Sequence, residues 1–227
     1  TQAERVERYY RNFIKTFPNF AMLAEASFGQ LYSVWRGLGY NRRALFLKKT
    51  AEKVIQEYGG KLPHDPETLE MLPGIGRYTA RAIACFSWNE PVAFVETNIR
   101  RAYLHHFFPK RRAVTDKQIL KIAEQALDTV NPREWHWALM DYGAYLKTIT
   151  ENPNRRHKNY AVQSKFEGSP RQIRGMVLRM LSGKDMNTAE LIKGTRKPAE
   201  TIKTIVNKLE LEGFLRYNQK QKTYQLQ

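Results

Sequence analysis

The sequence predicts an all-α domain over residues 1–150 and, after a polar linker at 151–169, a small α+β domain at 170–227. Three observations lead there. Apolar residues in the first 150 positions recur at spacings of three and four, the period of helices with one buried face, and strand-like alternation is nearly absent. Glycine and proline break that pattern at short intervals. Alternation appears only near the C-terminus, in Phe214–Tyr217 and Thr223–Leu226.

The elements follow in order. Gly59-Gly60 and Pro63 close the early helices, and Asp65-Pro66 starts another, with a capping side chain ahead of a proline in the first turn. Residues 66–71 are expected as a short helix, Leu72-Pro73-Gly74-Ile75-Gly76 as a tight turn, and Arg77 to Ser87 as a second helix. Ile119, Ile122, Ala123, Ala126, Leu127 and Val130 form one helical stripe, after which Asn131-Pro132 opens the next helix. Asn152 to Asn159 has no apolar period and reads as a surface loop. Ile173, Met176, Val177, Met180 and Leu181 then mark an amphipathic helix. A short helix is expected around Thr188–Ile192, and a longer one runs from Pro198 through Ile202, Ile205, Val206 and Leu209 to Gly213. A hairpin ends the chain.

Composition narrows the function. Lys and Arg number 38 against 22 Asp and Glu, a formal +16, while 42% apolar content is too rich for a disordered basic tail. The charge therefore sits on folded surface, with +7 in residues 1–150, +2 in 151–169 and +7 in 170–227. A polyanion such as nucleic acid fits both large segments, the alternative being charge kept for solubility. No run of eighteen apolar residues occurs, so no membrane helix is expected. The single cysteine, Cys85, rules out an intrachain disulfide framework and a four-thiolate iron–sulfur site from this sequence alone. Packing is its expected role, in a reducing intracellular compartment. The opening at Thr1 lacks an initiator Met and looks like helix interior, which suggests an N-terminal truncation.

The turn at Leu72–Gly76 carries chemistry. Two glycines beside a helix start let a backbone approach closely, and the exposed N–H groups there bear the positive end of the helix dipole. A phosphate can rest on Gly74, Gly76 and the next amides, with Arg77 and Thr79 beside it. Taken alone, Pro-Gly-x-Gly is a common connection. Its company is more specific: Gly37-Leu38-Gly39-Tyr40, Leu72 to Ala80, Val95-Glu96-Thr97-Asn98-Ile99-Arg100-Arg101 and Ala138 to Ala144, in this order, with Thr1-Gln2 at the front and Glu96 eighteen residues past Tyr78. In these pieces the sequence resembles the helix-hairpin-helix DNA glycosylases, and among them the MutY-type A/G-mismatch adenine glycosylases. The likeness covers roughly residues 1–150.

That resemblance implies an enzyme that rotates a nucleotide out of double-stranded DNA and hydrolyses its N-glycosidic bond through a sugar cation. Glu96 falls at the carboxylate position that would stabilise this cation, where the family normally has Asp; its other reading is a carboxylate serving a helix N-terminus. Tyr78 falls where bifunctional relatives carry a Schiff-base lysine, so no lyase activity is expected. Tyr78 is either a hydrogen-bond donor to the carboxylate or an aromatic packing residue. Asn98 either helps hold carboxylate and sugar or caps locally. Tyr40 is either a wedge into the base stack or core filler, with Arg42 and Arg43 near phosphates. The family's general acid, a Glu upstream of the position of Thr1, has no counterpart in this sequence.

Two departures from the family accompany the resemblance. No cysteine follows Asp141, so a variant without the iron–sulfur cluster is expected, with no cofactor, although the hairpin admits a monovalent cation; polar contacts or the new domain would replace the cluster's stabilising role. In place of a Nudix-like recognition domain, residues 170–227 resemble a winged helix-turn-helix, presenting Lys197, Thr201, Thr204 and Lys208 to DNA or else serving protein contacts. The expected function is a monofunctional glycosylase of base excision repair. It would act as a cytoplasmic, nucleoid-associated monomer on adenine opposite 8-oxoguanine or guanine. Thymine or uracil mismatch glycosylase and non-catalytic DNA-binding module are the alternatives.

Overall fold

The computed structural model describes residues 3–227, with side chains from Val6 onward; the Thr1-Gln2 piece lies outside the described residues. Twelve α-helices, a 3₁₀ turn and one two-stranded hairpin are found among them. They form two compact units. One comprises residues 1–62 with 164–227, the other residues 63–163. Compactness thus groups the chain differently from the pattern changes at 150 and 170.

In the first unit α1 (Ala3–Thr16), α2 (Phe20–Glu25), α3 (Phe28–Trp35) and α4 (Asn41–Tyr58) share a core with the C-terminal elements. Ser27 and Gln30 cap α3 reciprocally, and Gly59, at φ +60, ends α4 in the left-handed conformation that glycine adopts without strain. Ser169 caps α10 (Pro170–Leu181), while Asn187 and Glu190 box α11 (Thr188–Thr195). Next come α12 (Ala199–Leu211), β1 (Leu215–Asn218) and β2 (Thr223–Leu226), the strands paired antiparallel with Tyr217 opposite Tyr224. Met186 adds an isolated antiparallel bridge to Tyr224, a third extended segment that its single apolar residue did not advertise. A core built only from α10–α12 would be small for independent stability. Phe28 meets Phe214 edge-on with centroids 5.2 Å apart, and the Gln227 carbonyl accepts from the Gly29 amide.

The second unit holds α5 (Pro66–Glu70), α6 (Arg77–Trp88), α7 (Thr97–Phe107), α8 (Asp116–Gln125) and α9 (Pro132–Ile149). Ala82, Cys85, Phe94, Ile99, Leu104 and Ile119 are among the buried side chains of its core. The predicted stripe through Val130 is too long. Helix α8 stops at Gln125, and Val130 is 75% exposed, because the Asp128 carboxylate accepts both the Val130 and Asn131 amides and turns the chain before Pro132. Cys85 packs, its Sγ 3.6 Å from His136 Nδ1, whose ring also faces the Pro132 carbonyl at 2.7 Å. Burial pushes the thiol up to about 11 and holds the imidazole below its usual range. Cys85 should therefore ignore thiol reagents in the native protein at neutral pH and react once it is denatured, as absorbance at the released chromophore will report.

Candidate functional site

The hairpin begins with Asp65, whose carboxylate accepts the Thr68 amide at 2.8 Å and caps α5. Leu72 is buried and anchors the turn, and Gly74 sits at φ +76, where a side chain would be strained. Arg81 reaches back from α6 to Glu70 at 2.7 Å and Glu67 at 3.3 Å, fastening the two helices. Gly76 is the N-cap of α6 and supplies no side-chain cap. Its φ of −96° suits any residue, and a Cβ there would meet nothing within 4 Å. The fold does not need glycine at 76. Gly76, Arg77 and Tyr78 are exposed and Thr79 is half-buried, so the helix start faces outward.

Glu96 is the N-cap of α7. Its Oε1 accepts from the Asn98 and Ile99 amides, the latter at 2.9 Å, and Oε2 takes no part in the cap. The helix-terminus reading of this residue is thus what the side chain does, and the extra methylene of Glu is absorbed without losing the bonds to the second and third amides of the helix. Tyr78 is nearby. Burial first, and the Glu96 charge second, raise its phenol above the ordinary value, so it stays protonated through the neutral range. Its ring also lies 5.7 Å from Phe94, which makes it half packing residue and half surface. The Asn98 side chain does not cap. Its Oδ1 accepts from Arg101 at 2.7 Å.

Arg101 is the residue that pattern reading missed. It is 5% exposed and donates to Asn98 Oδ1, to the Gly143 carbonyl and, at 3.4 Å, to Asn152 Oδ1. Gly143 on α9 is forced to be glycine, since a methyl group there would overlap the backbone of Asn98. Gly143→Ala should cost about 2 kcal/mol through overpacking against backbone, lowering Tm by roughly 6 °C in a thermal melt.

The segment expected as a surface loop is instead partly buried. A 3₁₀ turn at Pro153–Arg156 buries Pro153 and Asn154. Asn154 Nδ2 donates to the Thr97 carbonyl at 3.0 Å, and the Arg156 guanidinium donates to the Leu104 and Pro109 carbonyls at 2.9 and 3.1 Å. Backbone bonds between Val114 and the 156–158 stretch complete a polar strap across α7. Polar side chains answering backbone carbonyls leave no apolar period, which is why the strap reads as loop. His157 Nδ1 accepts the Asn159 amide, so its Nε2 donates to Asp116 at 3.2 Å. Burial favours the neutral ring. Burial alone would raise the Asp116 carboxyl, but the bidentate Arg100 contact and His157 hold it below its usual range.

A cleft of about 580 Å³ opens between the start of α6 and α8. Tyr78, Phe94 and Leu120 line it, with Arg77, Arg81, Lys117 and Lys121 among its charged neighbours and Glu96 outside it. Among the described residues, no group of three or more His, Cys, Asp and Glu is placed to hold a metal ion.

The model of the HhH-GPD superfamily base excision DNA repair proteins matches residues 1–129. The chain belongs to the HhH-GPD superfamily. Relatives of this HhH-GPD chain include the adenine DNA glycosylase of Homo sapiens, 34% identical over 157 residues, which are 65% of this chain and 28% of the relative. The adenine DNA glycosylase of Mycolicibacterium smegmatis is 32% identical over 198 residues, 80% of this chain and 67% of that one. The chain thus spans less than a third of the human relative. A solved thermostable thymine-DNA glycosylase superposes with a TM-score of 0.56 at 25% identity, covering 63% of this chain and 68% of that one. A trapped endonuclease III–DNA covalent intermediate superposes at 0.55 and 20% identity, over 63% and 68%, a likeness of fold alone.

The other nominated residues of this HhH-GPD protein lie in its first unit. Tyr40 is no core filler: it is 61% exposed, at φ 51°, with the Arg43 guanidinium 4.5 Å from its ring centre. Holding an aromatic residue in the left-handed region costs on the order of 1–3 kcal/mol and persists only where neighbours enforce it. Gly37 and Gly39, also at positive φ, and the Trp35 Nε1 bond to the Gly39 carbonyl enforce it here. Arg42 is not free, since Glu212 pairs with it at 2.9 Å. On α12, Thr204 and Lys208 are exposed and Thr201 half-buried, while Lys197 precedes the helix and is half-buried.

Proposed function

We propose that the chain is a monofunctional DNA glycosylase that hydrolyses the N-glycosidic bond of a flipped base, adenine opposite 8-oxoguanine or guanine. The observation that carries this is Glu96: one carboxylate oxygen anchored on α7 amides, the other outside the cap, with a protonated phenol close by. An anchored carboxylate stabilises a sugar cation that exists only near the transition state, and it need not reorganise to do so. Tyr78, close enough for the Glu96 charge to raise its phenol, serves as the donor to this carboxylate when substrate is bound. Asn98, held by Arg101, carries one of the anchoring amides. Position 78 offers no amine, so no imine forms with the sugar and the strand stays intact. The matches to adenine DNA glycosylases favour adenine, while the thymine-DNA glycosylase fold match keeps thymine opposite guanine as the second reading.

Binding is assigned to the hairpin, where phosphate would rest on the amides after Gly76, and to the Tyr40 loop with Arg43. In this reading α10–α12 and the hairpin are a winged helix-turn-helix. The chain is a clusterless variant in which the Asn152–His157 strap braces α7, acting as a monomer on nucleoid DNA. Gly76→Ala should lower Tm by only about 3 °C, since nothing crowds the Cβ and the cost is that of alanine in place of glycine at an N-cap, about 1 kcal/mol. It should also weaken duplex binding about tenfold in an anisotropy titration.

The test uses duplexes bearing A opposite 8-oxoguanine, A opposite G, T opposite G or U opposite G, followed by alkali to cut abasic sites. Product from the adenine duplexes, and only after alkali, is expected. Product from thymine or uracil alone would move the assignment to the second reading. None from any duplex would leave a binding module, and strand cutting without alkali would overturn the role given to Tyr78.

A further inference from the structure

The first unit concentrates the charge. It holds 24 Lys and Arg against 11 Asp and Glu, a formal +13, where the second unit holds 14 against 11. Within it, Glu212, the C-cap of α12, is a clamp. Its carboxylate takes both guanidinium nitrogens of Arg174, at 3.1 and 2.7 Å, and Arg42 at 2.9 Å. Arg174 in turn sits over the Phe214 ring. Arg42 is two residues from Tyr40, so the clamp ties the end of α12 to the loop that displays that ring.

Helical geometry makes the tie informative. At 3.6 residues per turn Thr201, Thr204, Lys208 and Glu212 share one stripe of α12. The stripe therefore ends at the Tyr40 loop. Beside it stands Leu211, 87% exposed. A solvent-facing Leu and Tyr among cations is the kind of set that enters a base stack while neutralising the backbone around it.

We propose that α12 and the Tyr40 loop form one continuous surface for double-stranded DNA, held in register by Glu212, with Leu211 contacting the duplex beside Tyr40. The inference rests on the glycosylase reading only in taking Tyr40 as the residue next to the vacated base position. Helix α12 has 13 residues, about 20 Å. That length matches about six base-pair steps. A contact made by this surface therefore covers about six base pairs along α12 from the Tyr40 loop.

Hydroxyl-radical footprinting of the full chain on a duplex with a central, stable abasic-site analogue tests this without turnover. Protection should include a flank of about six base pairs contributed by α12. Lys208→Ala and Leu211→Ala should each shorten that flank and raise Kd about fivefold, and Lys208→Ala should lower the salt slope by about one. Lys203→Ala, on the opposite face and paired with Glu200 at 2.9 Å, should leave the flank unchanged. A footprint that Lys208→Ala and Leu211→Ala leave unchanged would overturn the proposal. Base release with a footprint indifferent to both variants would sink it and leave the glycosylase reading standing, whereas a footprint shortened by both without base release would do the reverse.

Discussion

Glu96→Gln should abolish base release, with single-turnover rates falling at least about a thousandfold, which corresponds to roughly 4 kcal/mol of lost transition-state stabilisation. The amide is nearly isosteric and keeps an oxygen to accept the Asn98 and Ile99 amides, so the cap and the fold survive. In the proposed mechanism, what it loses is the negative charge facing a developing sugar cation, an interaction absent from the ground state. Affinity for a duplex with an abasic-site analogue should therefore change less than threefold while the chemical step collapses. Parallel losses in binding and Tm would instead show Glu96 to be a helix cap and nothing more.

Arg101→Met should be the most damaging single change to the second unit, costing about 4 kcal/mol, within the range for breaking a buried charged network. Removal of the guanidinium strands the Asn98 Oδ1 and the Gly143 carbonyl, and Met cannot satisfy either. A Tm about 10 °C lower is expected. Arg101→Lys should recover only part of it, because one ammonium cannot reproduce a planar fork reaching α7, α9 and Asn152 together. Below the melting transition, the lysine variant should retain DNA affinity but release base more slowly than wild type. Unchanged kinetics would confine Arg101 to stability.

The two residues differ in how far the amino-acid sequence exposes them. Glu96 could be nominated because its neighbours form a contiguous motif at a set distance from the hairpin, and Tyr78 because a missing amine is visible in a string of letters. Arg101 stands inside the same motif, yet nothing local separates it from the solvent-side Arg100, which pairs with Asp116. Their difference is one of facing. The strap at Asn152–His157 was hidden for a related reason: its partners, the Thr97, Leu104 and Pro109 carbonyls, lie more than forty residues earlier.

Most helices, the turns at Gly59 and Gly74 and the C-terminal hairpin follow from local chemistry, since a cap, a proline ring or a 3.6-residue apolar period acts within one or two turns. The sequence alone therefore determined that most of the chain is helical, where the glycine turn between α5 and α6 sits and that no second cysteine exists. Tertiary structure decided that α10–α12 share a core with α2–α4, that Tyr40 is displayed rather than packed, and that Glu212 joins Arg42 to Arg174. The shared core and the Glu212 clamp depend on apolar faces and charges brought together across well over a hundred residues, and burial against a distant partner leaves no periodic trace at either end, whereas the display of Tyr40 is set by the backbone of its own glycine loop.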